Sequence, residues 1–90
     1  MDYSKLEGFI FLDGQLLNWS DAKLHVLSHG LHYASSVFEG ERAYGGKVFK
    51  EFEHTERLIK SAETLGFKIP YTNEEICKIR KNVLNANKII

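Results

Sequence analysis

Val37-Phe38-Glu39-Gly40-Glu41-Arg42-Ala43-Tyr44-Gly45-Gly46-Lys47-Val48-Phe49-Lys50-Glu51-Phe52 decides the fold, because the periodicity of the chain changes within it. Ser36 to Tyr44 reads as a strand, and Lys47-Val48-Phe49-Lys50 reads as its returning partner. Gly45-Gly46 joins them, and glycine answers the positive φ that both central positions of a tight hairpin demand. From about Glu51 the repeat lengthens. Phe52, Thr55, Leu58, Ile59, Ala62 and Leu65 fall on one helical face. Glu51 and Glu53 sit in the first turn, where the helix dipole favours acids. Gly66 is a natural stop, and Pro70 follows it.

Upstream, Phe9-Ile10-Phe11-Leu12 and Gln15-Leu16-Leu17-Asn18-Trp19 flank Asp13-Gly14, a second two-residue hairpin signal. Ser20-Asp21-Ala22-Lys23 reads as a connection. Downstream, Thr72 and Glu75 form a capping box, with Tyr71 and Ile76 placed as a hydrophobic staple. Ile76, Ile79, Val83 and Ala86 make the buried stripe of this second helix. Hairpins followed by helices predict an α+β fold: two β-hairpins forming an antiparallel sheet, then two helices packed on one side.

Ninety residues, 43% of them hydrophobic, suit one small domain. A chain of this size buries roughly 60–65% of its unfolded surface, so its stability is marginal without help. Twelve acids balance twelve bases, which gives no reason to expect nucleic acid or a membrane as partner. No apolar run is long enough to span a bilayer, and Met1-Asp2-Tyr3-Ser4-Lys5 lacks a signal pattern. With a single cysteine, these features lead us to expect a cytoplasmic location. Cys77, beside Ile76 and Ile79, reads as a half-buried apolar residue with no activating neighbour in sequence.

Residues with chemical potential are few. His25, His29 and His32 would share a face on a helix and could hold a metal there. Ser28-His29-Gly30 is a poor helix interior and brings no acidic or thiolate ligands. The plainer expectation is a tight turn in which the rings donate to backbone carbonyls. Alternation puts Arg42 on the face of Phe38 and Gly40, which suits a ligand floor; a solvated edge-strand arginine fits equally well. Arg57 reads as a solvated helix charge on composition alone, and so does Arg80. No phosphate-loop spacing and no nucleophile elbow is present. From the residues alone, function stays open at a small α+β domain with one pocket-lining strand.

The run from Trp19 to Tyr33, the strand Val37-Phe38-Glu39-Gly40-Glu41-Arg42-Ala43-Tyr44, and Val48-Phe49-Lys50 followed by Glu53-His54-Thr55-Glu56-Arg57-Leu58 and Ser61-Ala62 resemble branched-chain amino-acid aminotransferase. That family belongs to the fold-type IV enzymes that use pyridoxal 5′-phosphate, and the resemblance runs from about Gly8 to the last residue. It implies that Arg57 contacts the cofactor phosphate, a task suited to a permanently charged, forked guanidinium. It implies that Tyr33, Phe38, Gly40 and Arg42 are substrate-binding, with Phe38 as apolar wall and Tyr33 reaching a neighbouring subunit's pocket. No catalytic role and no metal site follows for this stretch, and His54 matches the motif without acquiring a role. Two departures stand out. Glu41 replaces a commonly apolar residue and alternates away from Phe38 and Arg42, so it should affect packing. Ala34 stands where glycine is common.

The resembled family carries its cofactor-binding lysine, and the acid partner of the cofactor ring, beyond residue 90. None of the nine lysines here stands in that lysine motif. The expectation is therefore that residues 1–90 form a truncated small N-terminal domain, with the larger cofactor-lysine domain absent. It would be inactive alone, with weak cofactor affinity at best. The parent would be a homo-oligomer that transfers amino groups between leucine, isoleucine or valine and 2-oxoglutarate. The alternatives are a D-amino-acid aminotransferase or aminodeoxychorismate lyase sibling, or a non-catalytic association module. Exposed apolar surface should make the segment self-associate, with Ile89 and Ile90 disordered or packed on another chain.

Overall fold

The computed structural model describes residues 5–88, and the expectation for Ile89 and Ile90 lies outside them. Strand β1 (Phe9–Leu12) pairs antiparallel with β2 (Gln15–Asn18), Phe9 opposite Asn18 and Leu12 opposite Gln15. The turn between them holds Asp13 at φ 51° and Gly14 at φ 80°. A second hairpin joins β3 (Ala43–Tyr44) to β4 (Lys47–Val48) through Gly45 at φ 55° and Gly46 at φ 79°. Both turns thus take the left-handed backbone that their sequences prepare for. The architecture is α+β as expected, but among the described residues each hairpin forms its own two-stranded sheet.

The strand expected from Ser36 to Tyr44 is paired only at its end. Ala43 and Tyr44 carry the ladder, and a bond from the Phe49 N–H to the Arg42 carbonyl (2.8 Å) extends it by one step. The return arm is too short for more. Lys50 turns left-handed at φ 53°, and helix α2 (Glu51–Thr64) begins directly after it. Among the described residues, no strand therefore lies opposite residues 36–41.

Helix α1 (His29–His32) is a single turn, closed by bonds from the Leu31 and His32 N–H groups to the Ser28 carbonyl (3.0 and 2.9 Å). It stands where a tight turn was expected. The ring roles differ too, because His25 Nδ1 accepts from the Leu27 N–H at 3.1 Å instead of donating. The His29 and His32 rings pack beside Tyr33, at centroid distances of 5.2 and 5.0 Å. The chain leaves the turn through Ala34 at φ 58°, a conformation that costs a residue bearing a Cβ about 1–2 kcal/mol. That geometry explains why glycine suits this position.

Helix α2 ends as its sequence predicts. The Phe67 N–H bonds to the Ala62 carbonyl and the Gly66 N–H to the Glu63 carbonyl, both at 3.0 Å, with Gly66 at φ 87°. Helix α3 (Asn73–Ala86) opens on a complete capping box: Thr72 Oγ1 accepts the Glu75 N–H at 3.1 Å, and Glu75 Oε1 accepts the Thr72 N–H at 2.9 Å. Helix α3 packs on α2 and on β1. Thr55 and Ala62 of α2 are fully buried; Leu58 and Ile59 of α2, and Ile76, Ile79 and Val83 of α3, are half-buried. Phe52 and Leu65, at the ends of the expected α2 stripe, are exposed. The Asn87 side chain holds β1 to the end of α3, accepting from the Phe9 N–H (2.8 Å) and donating to its carbonyl (3.0 Å) as a strand neighbour would. Among the described residues no helix is long and apolar enough to cross a membrane.

Candidate functional site

The segment leading into β3 distributes its side chains to two sides. Gly40, Arg42 and Tyr44 border a cleft of about 490 Å³, closed by Phe49 and His54. Glu39 and Glu41 point the other way, onto the helices. This is the alternation expected of a strand, kept where no ladder supports it. The expectation that Glu41 faces away from Arg42 toward the packing side holds in its contacts.

Glu39 is the centre of the first of these contacts. Its Oε2 accepts from Arg57 Nε at 2.7 Å, and its Oε1 accepts from Arg57 Nη2 at 2.6 Å. His54 Nδ1 lies 2.6 Å from the same Oε1. An ionised carboxylate can only accept, so this ring nitrogen carries the proton. His54 and Arg57 are three residues apart on α2, which sets them side by side over one carboxylate. The hydrogen bonds from Arg57, then those from His54, hold the Glu39 carboxyl at about 2, well below the ordinary 4.5. The same pairing raises Arg57 above the usual arginine range. The Glu39 side chain is 9% exposed and that of Arg57 is 67% exposed, so the arginine is anchored at its inner edge and open at its outer one.

Arg57 also borders a second cleft, of about 200 Å³, with Lys50, Glu53 and His54. His54 therefore forms the partition between the two clefts. Of the residues expected at a substrate pocket, the structure brings Gly40 and Arg42 together and leaves Tyr33 and Phe38 outside both clefts. Phe38 is 87% exposed.

Arg80 overturns its expected place on a solvated face. Its side chain is 12% exposed and joins α3 to α2 and to the segment that leads into β3. It meets Glu41 Oε2 through Nε at 3.1 Å, Glu41 Oε1 and Thr55 Oγ1 through Nη2 at 3.0 and 2.6 Å, and Cys77 Sγ through Nη1 at 3.5 Å. Glu51 Oε1 lies 3.6 Å from Nη1. Burial, and then the Glu51 carboxylate, push the Cys77 thiol up, which makes it a poor nucleophile as its apolar neighbours suggested. Sequence reasoning missed the roles of Glu39, His54 and Arg80. The available signal was the pair of acids at 39 and 41, set on the face opposite Arg42 with no solvent-side reason for their spacing. Among the described residues no group of three His, Cys, Asp or Glu side chains could hold a metal ion.

Comparison with known proteins adds a family context. A family described as amino-transferase class IV matches residues 36–89. A probable branched-chain-amino-acid aminotransferase of Rickettsia bellii is 57% identical over 81 residues, 90% of this chain and 28% of that protein. The branched-chain-amino-acid aminotransferase of Pseudomonas aeruginosa is 40% identical over 93 residues, 99% of this chain and 30% of that protein. A solved branched-chain aminotransferase from Thermoproteus uzoniensis, crystallised with norvaline, superposes with a TM-score of 0.83 at 41% identity, covering 90% of this chain and 29% of that one. The chain thus spans less than a third of the length of these relatives.

Proposed function

Because the chain belongs to the class IV aminotransferases, we propose that it is the small N-terminal domain of an enzyme transferring amino groups between branched-chain L-amino acids and 2-oxoglutarate. The observation that carries the reading is the position of Arg57, anchored beside the segment that presents Gly40 and Arg42 and bordering a cleft of its own. The names borne by the relatives support the substrate class.

Pyridoxal 5′-phosphate, when bound, supplies the electron sink that amino transfer needs. The donor set of the smaller cleft fits its phosphate. Arg57 and Lys50 are cations, against one lining carboxylate, Glu53. Arg57 binds the phosphate there as a fixed, permanent charge. On the other side of His54, Gly40 leaves its backbone open to approach, with nothing within 4 Å of where a Cβ would stand. Arg42 offers a cation to a substrate carboxylate. Phe38, exposed here, is assigned to an apolar pocket wall, and Tyr33, exposed too, to the pocket of a neighbouring subunit in a homo-oligomer. Arg57 and Lys50 are the cations that residues 1–90 offer to this cleft, so these residues alone bind phosphate weakly. They are inactive because no lysine among them holds the cofactor. The lone cysteine supports a cytoplasmic setting.

The test is to assay the full-length polypeptide that carries this segment with L-leucine, D-alanine and aminodeoxychorismate. L-leucine with 2-oxoglutarate should turn over, and residues 1–90 alone should not. Preference for D-alanine or for aminodeoxychorismate would reassign the enzyme to a sibling activity. The absence of all three activities in the cofactor-loaded protein would favour an association module.

A further inference from the structure

Arginine presents two edges on which an oxyanion can sit with two parallel bonds. One is the side edge, Nε with Nη2, and the other is the end edge, Nη1 with Nη2. Glu39 occupies the side edge of Arg57 with bonds of 2.7 and 2.6 Å. One hydrogen on Nη1 and one on Nη2 remain for the end edge, and a third, on Nη1, lies beside it. Among the described residues the only other contact at this edge, Nη2 to His54 Nδ1 at 3.4 Å, joins two donors once the ring proton faces Glu39, so it uses none of them. Glu39 is itself tethered by His54 and almost enclosed, which makes it a fixed anchor for a side chain that is otherwise two-thirds exposed. A free arginine in that setting samples many rotamers, and a ligand binding to it must order them first. Here the ordering is already done.

From this geometry, and resting on the reading of Arg57 as the phosphate residue, we infer that Glu39 is a positioning residue that holds the side edge of Arg57 so that its end edge meets the cofactor phosphate. Glu39 and the phosphate bind the guanidinium together, on different edges, and do not compete for it. Glu39 adjoins Gly40 in the chain, so the same carboxylate ties the phosphate cleft to the wall of the neighbouring cleft.

The experiment titrates the full-length apoprotein with pyridoxal 5′-phosphate and with pyridoxal, which lacks the phosphate, and compares the ratio of the two Kd values across variants. Glu39→Gln should shrink the preference for the phosphorylated form about tenfold, the worth of one charge-assisted bond, and leave pyridoxal affinity unchanged. A purely structural role would weaken both ligands alike and leave the ratio intact, which overturns the inference. A tightened grip on the phosphate would overturn it too, because Glu39 would then be a competitor. Arg57→Ala separates the two levels. If it leaves the ratio unchanged, the phosphate reading of Arg57 itself fails. If it collapses the ratio while Glu39→Gln does not, only the role of Glu39 fails. Should Glu39→Gln not fold, Glu39→Asp keeps the charge but is one methylene short of spanning both nitrogens. It should reduce the ratio about threefold, and an unchanged ratio counts against the inference.

Discussion

Glu39 meets its two partners across 15 and 18 residues of sequence, and its charge is stabilised only when the fold closes that gap. The carboxyl titrates near 4.5 in the unfolded chain and near 2 in the folded one. Its contribution to stability is therefore complete above about pH 4.5 and is lost as pH falls toward about 2. Glu75, lowered by the Thr72 backbone N–H, loses its contribution in the same direction. Comparing Glu39→Gln with the unaltered protein isolates the first effect. The urea midpoint of the variant should fall less steeply between pH 4.5 and 2 than that of the parent protein. Parallel slopes would mean that the pair with Arg57 adds nothing to folding. None of this was legible at residue 39 itself. Glu39 stood inside the motif, but an acid on a strand carries no sign of which distant cation it meets, and Arg57 alone read as a solvated charge.

Helix ends were the most legible elements, because their signals are local. The Thr72–Glu75 box and the Gly66 stop satisfy backbone groups within a few residues of themselves. Removing the cap with Thr72→Ala should cost about 1 kcal/mol, seen as a lower thermal midpoint with the native fold retained. A change well below that size would mean the packing of α3 on α2 and β1 holds the first turn without it. Both hairpin turns were readable for the same reason, since Asp13-Gly14 and Gly45-Gly46 each take positive φ at both positions. The length of the second hairpin was not readable. Val37 and Phe38 have strand propensity, but propensity supplies no partner, and the left-handed Lys50 ends the return arm after four residues. The single turn of α1 escaped for the opposite reason, as one helical turn needs only Ser28 to receive two N–H groups and leaves no periodicity to detect.

Across the whole molecule, little is deeply buried. Among the described residues only Ala62 and Thr55 are fully enclosed, while Leu24, Val26, Leu27, Leu31, Tyr33 and Phe38 expose a long apolar run. Residues 1–90 should therefore self-associate on gel filtration at micromolar concentration, and a monodisperse monomer would contradict this. What interior there is depends on Arg80, which ties Glu41, Glu51, Thr55 and Cys77 together from one position on α3. The amino-acid sequence by itself determined the α+β class, the order of its elements, their turns and caps, and the family pattern around Arg57. All of these rest on contacts between near neighbours in the chain or on a matched motif. Only the tertiary structure decided that Glu39 grips Arg57, that Arg80 is internal, that His54 divides two clefts and that the hairpins keep separate sheets. The physical reason is the same in each case: a charge or a strand edge is satisfied by whatever the fold brings beside it, and nothing in its own neighbourhood names that partner.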